Sequence, residues 1–444
     1  MKIIVYLSLL ILVSPVFFYK LGQSSLSSWD EAWYGAVAKN ITFKSNPFLL
    51  SFNGQPFVDH PPVGFWLMAV SVKIFGASEF GVRAASAIAG IITLVLVFGL
   101  GKELFSEYVG AASALALTTS PWFILRSRTG NLDIFLTLFF VLTIWLAIKS
   151  SQDRKYLIRF SLSLTLFFLT KTMVPLTIIP ALIYILWSKI RSRDLVKPFL
   201  IFGSLIGTWL ISQIMSDTNF IGKYFIVGIP RSENGAWLFR LSLLKTYLHN
   251  GIGNWFRSGI VSLGIGTLLL KKPFLILFII IFSFLLPFSF SSRGQIWHLI
   301  PIHPFLILAV FGIVHTFLPR AKLAVIITIL LLLAIPQLYK NWHEFIDIPT
   351  YISDEAILST EAGKHSQELI VDRDFVPTAV FYSNKTVTRT RTDLIEYFKT
   401  KESFQMITTQ WRLDRENILP AEYKVMKTDR DMLLILKDVP GRLR

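Results

Sequence analysis

The sequence predicts an all-α polytopic membrane protein of about eleven transmembrane helices, with a small α/β domain at its C-terminal end. Three observations lead there. Of 444 residues, 53% are hydrophobic and only 16% charged, whereas soluble domains carry about a quarter charged residues, and the mean hydropathy is +0.57. The apolar residues gather in runs long enough to cross a bilayer core of about 30 Å. From Asn341 onward polar and apolar residues mix again, as in a soluble domain.

The opening run, 1–20, has a Lys ahead of a long apolar stretch, like a signal peptide. Pro15, Phe17, Phe18 and Tyr19 stand where small cleavage-site residues belong, so it reads as an uncleaved first helix. Further spans are expected over 82–101, 109–125, 132–149, 156–170, 174–189, 199–215, 257–270, 273–290, 297–317 and 322–340. Basic links at 149–159, 189–197, 271–272 and 319–322 fall on one side, which the positive-inside rule makes cytoplasmic together with the N-terminus. An odd number of spans puts the C-terminus outside. The formal charge of +16 is then a matter of orientation in the bilayer, and no nucleic-acid partner is expected.

The transmembrane domain therefore covers 1–340, with a first outer loop over 22–81 and a long outer loop over 216–256; residues 341–444 form a soluble extracytoplasmic domain. Backbone at membrane depth must be covered by protein, so the first loop is expected to form interfacial helices anchored by Trp29, Trp33, Tyr34, Phe65 and Trp66. The long loop, with Asp217, Lys223, Tyr224, Arg231, Glu233, Trp237 and Arg240, is either a gate over a site or an amphipathic interfacial stretch. In the C-terminal domain ELIVD and TAVFYSN predict strands. TDLIEYFKTKESF predicts an amphipathic helix, and EYKVMKTDRDMLLILKD a hairpin turning at Asp429-Arg430-Asp431. The absence of cysteine excludes disulfides, thiolate metal sites and thiol catalysis.

Acidic residues are scarce in such a chain, so their clustering is informative. Asp30 and Glu31 in SSWDEAWYG share the first outer loop with Asp59. One carboxylate can act as a general base toward a hydroxyl while a neighbour orients it; the alternative is a pair of solvated loop acids. His60, before Pro61-Pro62, is presented from a rigid elbow, where an imidazole can contact a phosphate or simply be structural. Asp133 is expected about one turn inside an apolar helix, where an ionisable residue is a functional candidate or is stabilised by the helix dipole. Arg126 and Arg128 break the positive-inside pattern, which leaves anion binding or snorkelling to lipid phosphates. Lys171, Arg293 and His298 add cations on the same expected face. Outward carboxylates facing outward cations describe a site for an anionic lipid and a nucleophile.

WDEAWYG, DHPPVGFWL, RTGNLDIFLTLF, LTKTMVPL and HLIPIHPFLIL, in this order, together resemble the GT-C fold glycosyltransferases of the dolichyl-phosphate-mannose protein mannosyltransferase superfamily, whose bacterial relatives include lipid A aminoarabinose transferases. The resemblance covers about 1–340. It implies inverting sugar transfer from a polyprenyl-phosphate-linked donor to an extracytoplasmic acceptor: protein, lipid A or another envelope glycan. By the same resemblance Asp30 is the catalytic base, Glu31 the neighbour that helps hold the site, and Asp133 the second acidic position. His60 stands where some relatives have Lys before the two prolines and meets the donor phosphate, which would make that contact pH-sensitive. Lys171 matches a Lys usually followed by Gly, here Thr172. Arg128, Arg293 and His298 complete the expected donor-phosphate and lipid-binding set. No metal and no cofactor is expected, since the polyprenyl-phosphate sugar is a substrate. The alternatives from other classes are a lipid-linked sugar flippase, which would place charges along a mid-membrane path, and a non-catalytic envelope assembly protein.

Overall fold

The computed structural model describes residues 13–41, 46–187, 189–228, 241–289, 295–318, 322–390 and 394–437. The expected first span, 1–20, lies mostly outside them. Among the described residues six helices are long and apolar enough to cross a membrane: Glu79–Leu104, Asp133–Gln152, Ser192–Ser216, Lys272–Ser289, Ile296–Phe317 and Ala324–Ile346. A seventh span results if the bent pair Glu107–Leu117 and Pro121–Ser127 counts as one. The expected runs 156–170 and 257–270 give helices Leu157–Phe168, of 12 residues, and Trp255–Leu268, of 14 residues. At about 1.5 Å per residue these fall short of a full bilayer crossing.

The expected single helix over 109–125 is two helices bent by 72°. Pro121 supplies no backbone N–H and forces Ser120 into an extended conformation. At the break the Thr119 carbonyl accepts from Asn341 Nδ2 at 2.8 Å, and the Thr119 hydroxyl beside it accepts from Trp255 Nε1 at 2.9 Å. The bend matters because the second half carries Arg126 toward the first loop.

Burial separates the helices into two populations. Ile296–Phe317 is 78% buried over its most apolar window and Asp133–Gln152 72%, while Ser192–Ser216 is 11% buried. The first two are apolar on every side and form the core; the last turns Phe199, Leu200 and Ile211 outward, as a lipid-facing helix does.

One end of the bundle, the loop end, carries three pieces. The first is helix α1 (Asp30–Asn40). The second is a hairpin, β1 (Leu50–Phe52) antiparallel to β2 (Gln55–Phe57), whose Asn53-Gly54 turn has both residues at positive φ, as a tight hairpin turn demands. Helix α2 (Val63–Phe75) follows Pro61-Pro62. The expected interfacial helices are thus present, but most of the aromatic side chains are not membrane anchors. Tyr34 and Phe65 are buried in the core, and Trp33 packs edge-on against Phe52, Phe57 and Phe375. Trp66 donates its indole N–H to the Pro47 carbonyl at 2.7 Å.

The C-terminal domain is a five-stranded sheet in the order β4-β3-β5-β7-β6, with β3 (Leu369–Val371) parallel to β4 (Val387–Arg389) and to β5 (Phe404–Thr409). The predicted hairpin is present as β6 (Lys424–Asp429) and β7 (Met432–Lys437), with Arg430 at φ 47° in its turn. The segment predicted as a strand at TAVFYSN is instead a helix, Pro377–Ser383. Pro377 opens it with a preset φ, and Asn384 closes it in the left-handed conformation. This helix docks the domain. Phe381 covers Gly35, where a Cβ would lie 3.2 Å from its ring. The Tyr382 hydroxyl donates to Glu79 at 2.7 Å and accepts from the Leu26 N–H at 2.9 Å.

Candidate functional site

The two acids of the opening motif begin α1 and point to different partners. Asp30 accepts from Arg126 Nη2. The same nitrogen donates to Asp133 Oδ2 at 2.7 Å, and the other Asp133 oxygen accepts from Lys171. Two carboxylates and two cations thus alternate: Asp30, Arg126, Asp133, Lys171. Asp133 is the first residue of its helix, one turn earlier than expected, and sits in the positive end of the dipole. Asn131 Oδ1 caps that end, accepting from the Asp133 and Ile134 N–H groups at 2.9 and 3.1 Å. Within this chain Asp133 is almost fully buried, while the Asp30 side chain is 27% exposed. Asp30 is the end that an incoming molecule can reach.

Glu31 turns inward. Arg83, from the helix Glu79–Leu104, meets it with two parallel bonds, Nε to Oε1 at 2.7 Å and Nη2 to Oε2 at 3.0 Å. The Gly130 N–H donates to Oε1 and the Ser27 N–H to Oε2, both at 2.9 Å. Burial alone would push the Glu31 carboxyl up, but the Arg83 guanidinium and the two backbone donors hold it below its ordinary value. Arg83 also binds the carbonyls of Leu21, Ser24 and Ser25. Glu31 therefore fastens the loop to the bundle beside the site and has no oxygen left for a reactant.

His60 places Nδ1 3.2 Å from Thr172 Oγ1, and that hydroxyl donates to the Asp59 carbonyl at 2.5 Å. Burial, reinforced by the nearby Lys171 charge, lowers His60 to about 3, so it is neutral at ordinary pH and the expected pH-sensitive cation is absent in this state. Lys171 does reach the site, and its neighbour Thr172, in place of the usual Gly, is what holds His60. His298 accepts from the Gln295 N–H at 3.3 Å, next to Trp297, whose ring faces the Arg126 guanidinium at 5.3 Å. Arg128 goes elsewhere: it donates to the Val16 and Tyr19 carbonyls at 2.5 and 2.6 Å, tying down the chain ahead of the first loop. Its partners among the described residues are these two carbonyls and not the Asp30 or Asp133 carboxylate. Arg293 lies outside the described residues, as do Arg231, Glu233, Trp237 and Arg240 of the long loop; Lys223 pairs locally with Asp217 at 2.5 Å. Among the described residues no group of three or more His, Asp and Glu side chains is placed to hold a metal ion.

Three contributors escaped the sequence reading. Arg126 appeared only as an anion-binding candidate, not as the bridge between two carboxylates; Arg83 and Trp297 were not singled out. Arg83 had a signal, since a lone arginine near the start of a long apolar helix needs a buried partner.

This arrangement sits on a helical bundle whose loop-end helix starts in an acidic pair. Residues 59–216 match the family described as dolichyl-phosphate-mannose-protein mannosyltransferase. The chain is 30% identical over 199 residues to the undecaprenyl phosphate-alpha-4-amino-4-deoxy-L-arabinose arabinosyl transferase 1 of Pseudomonas fluorescens, covering 42% of this chain and 35% of that protein. It is 33% identical over 143 residues to an uncharacterized protein of Aquifex aeolicus, covering 32% of this chain and 28% of that one. These alignments therefore span about a third of the relatives' length. In fold the likeness extends over the whole chain. ArnT from Cupriavidus metallidurans bound to undecaprenyl phosphate superposes with a TM-score of 0.78 at 14% identity, over 98% of this chain and 97% of that one. The archaeal oligosaccharyltransferase AglB from Archaeoglobus fulgidus gives 0.57 at 12% identity, over 87% and 64%. The match to the mannosyltransferase family thus covers residues 59–216, and the fold of the whole chain is the one seen in ArnT.

Proposed function

We propose that this protein is an integral-membrane glycosyltransferase that moves a sugar from a polyprenyl-phosphate-linked donor to a hydroxyl-bearing acceptor outside the cytoplasm, with inversion and with Asp30 as general base. The loop end is then the extracytoplasmic end, the N-terminus is cytoplasmic, and the bundle holds about eleven crossings when the shorter apolar helices are counted. The observation that carries the reading is the row Asp30, Arg126, Asp133, Lys171, with its reachable end at Asp30. The undecaprenyl phosphate named with the ArnT structure of the same fold supports the donor class.

Inverting transfer needs an incoming oxygen on one face of the anomeric carbon and a departing phosphate on the other. A carboxylate removes the acceptor's proton as its oxygen attacks, and fixed cations take up the charge that grows on the leaving phosphate. Lys171 and Arg126 supply those cations. Asp133 holds both at the site, neutralised until the donor arrives. When the phosphate takes over part of Arg126, Asp30 loses its ion-pair partner and becomes the stronger base. His60 and His298 border the same cations; neutral His60 spends its one N–H on the Thr172 hydroxyl, whereas His298, whose Nδ1 accepts from the Gln295 N–H, can donate Nε2–H to a phosphate oxygen. The test is transfer of sugar from an undecaprenyl-phosphate-linked donor by purified protein. Asp30→Asn is expected to abolish transfer while donor binding persists; unchanged transfer would remove Asp30 from the mechanism.

A further inference from the structure

Beside the base stands an aromatic pair that the donor chemistry does not use. Trp29 directly precedes Asp30 and is 70% exposed. Its indole stacks on Phe375 of the C-terminal domain, with ring centroids 4.6 Å apart and planes tilted by 32°. Phe375 in turn meets Trp33 edge-on at 5.4 Å and 86°. Trp29 is thus held against the soluble domain, which is not what a membrane anchor does. The loop that carries Phe375 is itself pinned, since Arg389 donates to the Asp374 carbonyl at 3.0 Å and the Arg373 N–H to the Val371 carbonyl at 2.8 Å. Two pinned rings form a shallow ledge, open on one side. The ledge adjoins the base in the chain, since Trp29 is the residue immediately before Asp30 at the start of α1.

We propose that Trp29 and Phe375 form an acceptor subsite that takes the C–H face of a pyranose ring, so that the acceptor is a saccharide hydroxyl and not a peptide side chain. This rests on the glycosyltransferase reading above. Aromatic faces carry negative charge density and attract the weakly positive C–H hydrogens of a pyranose, while the ring's hydroxyls project from its rim. In this proposal a rim hydroxyl of a ring lying on the ledge is the attacking group, and Asp30 receives its proton. A serine or threonine in an extended peptide has no comparable flat apolar face. Arg373, whose side chain is half exposed beside the ledge while Nη1 holds Glu355 at 3.3 Å, adds a cation suited to an acidic or phosphorylated saccharide.

The experiment uses the full chain in detergent and two probes, di-N-acetylchitobiose and a short serine- and threonine-containing peptide, with saturation-transfer difference NMR. The expected result is saturation of chitobiose ring C–H protons, weakened about five- to tenfold by Trp29→Ala and by Phe375→Ala and largely restored by Trp29→Tyr. In transfer assays Trp29→Ala is expected to raise the acceptor KM about tenfold relative to the donor KM. Saturation of the peptide alone, or chitobiose saturation indifferent to both alanine variants, would overturn the proposal. Transfer that survives Asp30→Asn would instead sink the catalytic reading, whatever the ledge binds.

Discussion

Asp30 and Glu31 are neighbours in the chain and opposites in the structure. Glu31 faces the bundle, where Arg83 and two backbone N–H groups fill both of its oxygens. Asp30 stays partly exposed at the loop end and has a guanidinium that it must share with Asp133. A saturated, buried carboxylate is an anchor; a partly exposed one, held by a cation that can be drawn away, is available for chemistry. One residue step along a helix turns a side chain by about 100°, enough to send the two acids to these different environments.

The largest effect should come from the Asp30 side. Asp30→Asn is expected to lower transfer by about 10²–10⁴-fold, the range of a lost general base, with little change in melting temperature; a melting shift comparable to that of an Arg83 variant would erase the contrast. On the Glu31 side, Arg83→Met leaves a buried carboxylate unpaired, which costs about 3–5 kcal/mol and should appear as a large drop in thermal stability. The Glu31→Gln/Arg83→Met double variant should recover part of it. Smaller still is Gly35→Ala. Its Cβ would sit 3.0 Å from Val82 and 3.2 Å from the Phe381 ring, an overpacking that costs about 1–3 kcal/mol and loosens the C-terminal domain, readable as faster proteolysis at that junction.

The smallest effect is in pH. His60 falls from 6.5 in the free imidazole to about 3 when folded. Between these values the unfolded chain binds more protons, so this contribution is fully present above pH 6.5 and is lost as pH falls toward 3. Glu31 acts with the same sign at lower pH: its lowered carboxyl stabilises the fold above 4.5 and ceases to do so as pH falls through the folded value. Melting temperatures measured between pH 7 and pH 5 should decline less for His60→Asn than for the wild type.

Much of the architecture could be read along the chain because bilayer crossing is a local property: a run of apolar residues of sufficient length declares itself, as 82–101 and 132–149 do. The break at Ser120-Pro121 was hidden by an unbroken hydropathy signal. The helix at Pro377–Ser383 was hidden because its alternating apolar residues mimic a strand, and what makes it a helix is Pro377 together with the packing of Phe381 and Tyr382 on the bundle. At the site, residue types and their order were legible in the five motifs, but the partners were not. Arg128 had the same standing as Arg126 in the sequence, yet one is spent on backbone carbonyls and the other bridges two carboxylates.

By itself, then, the sequence determined the membrane class, the change of character that marks the C-terminal sheet domain and the scarce charges from which any site had to be built, since composition and periodicity are summed over neighbouring residues. Only the tertiary structure decided which acid is an anchor and which is open. It also decided that Trp29 rests on a phenylalanine from the far end of the chain. Those pairings join residues 96 apart for Asp30 and Arg126, and 52 apart for Glu31 and Arg83. A charge's environment is fixed by the groups within a few ångströms of it, and here folding, not chain order, brings those groups together.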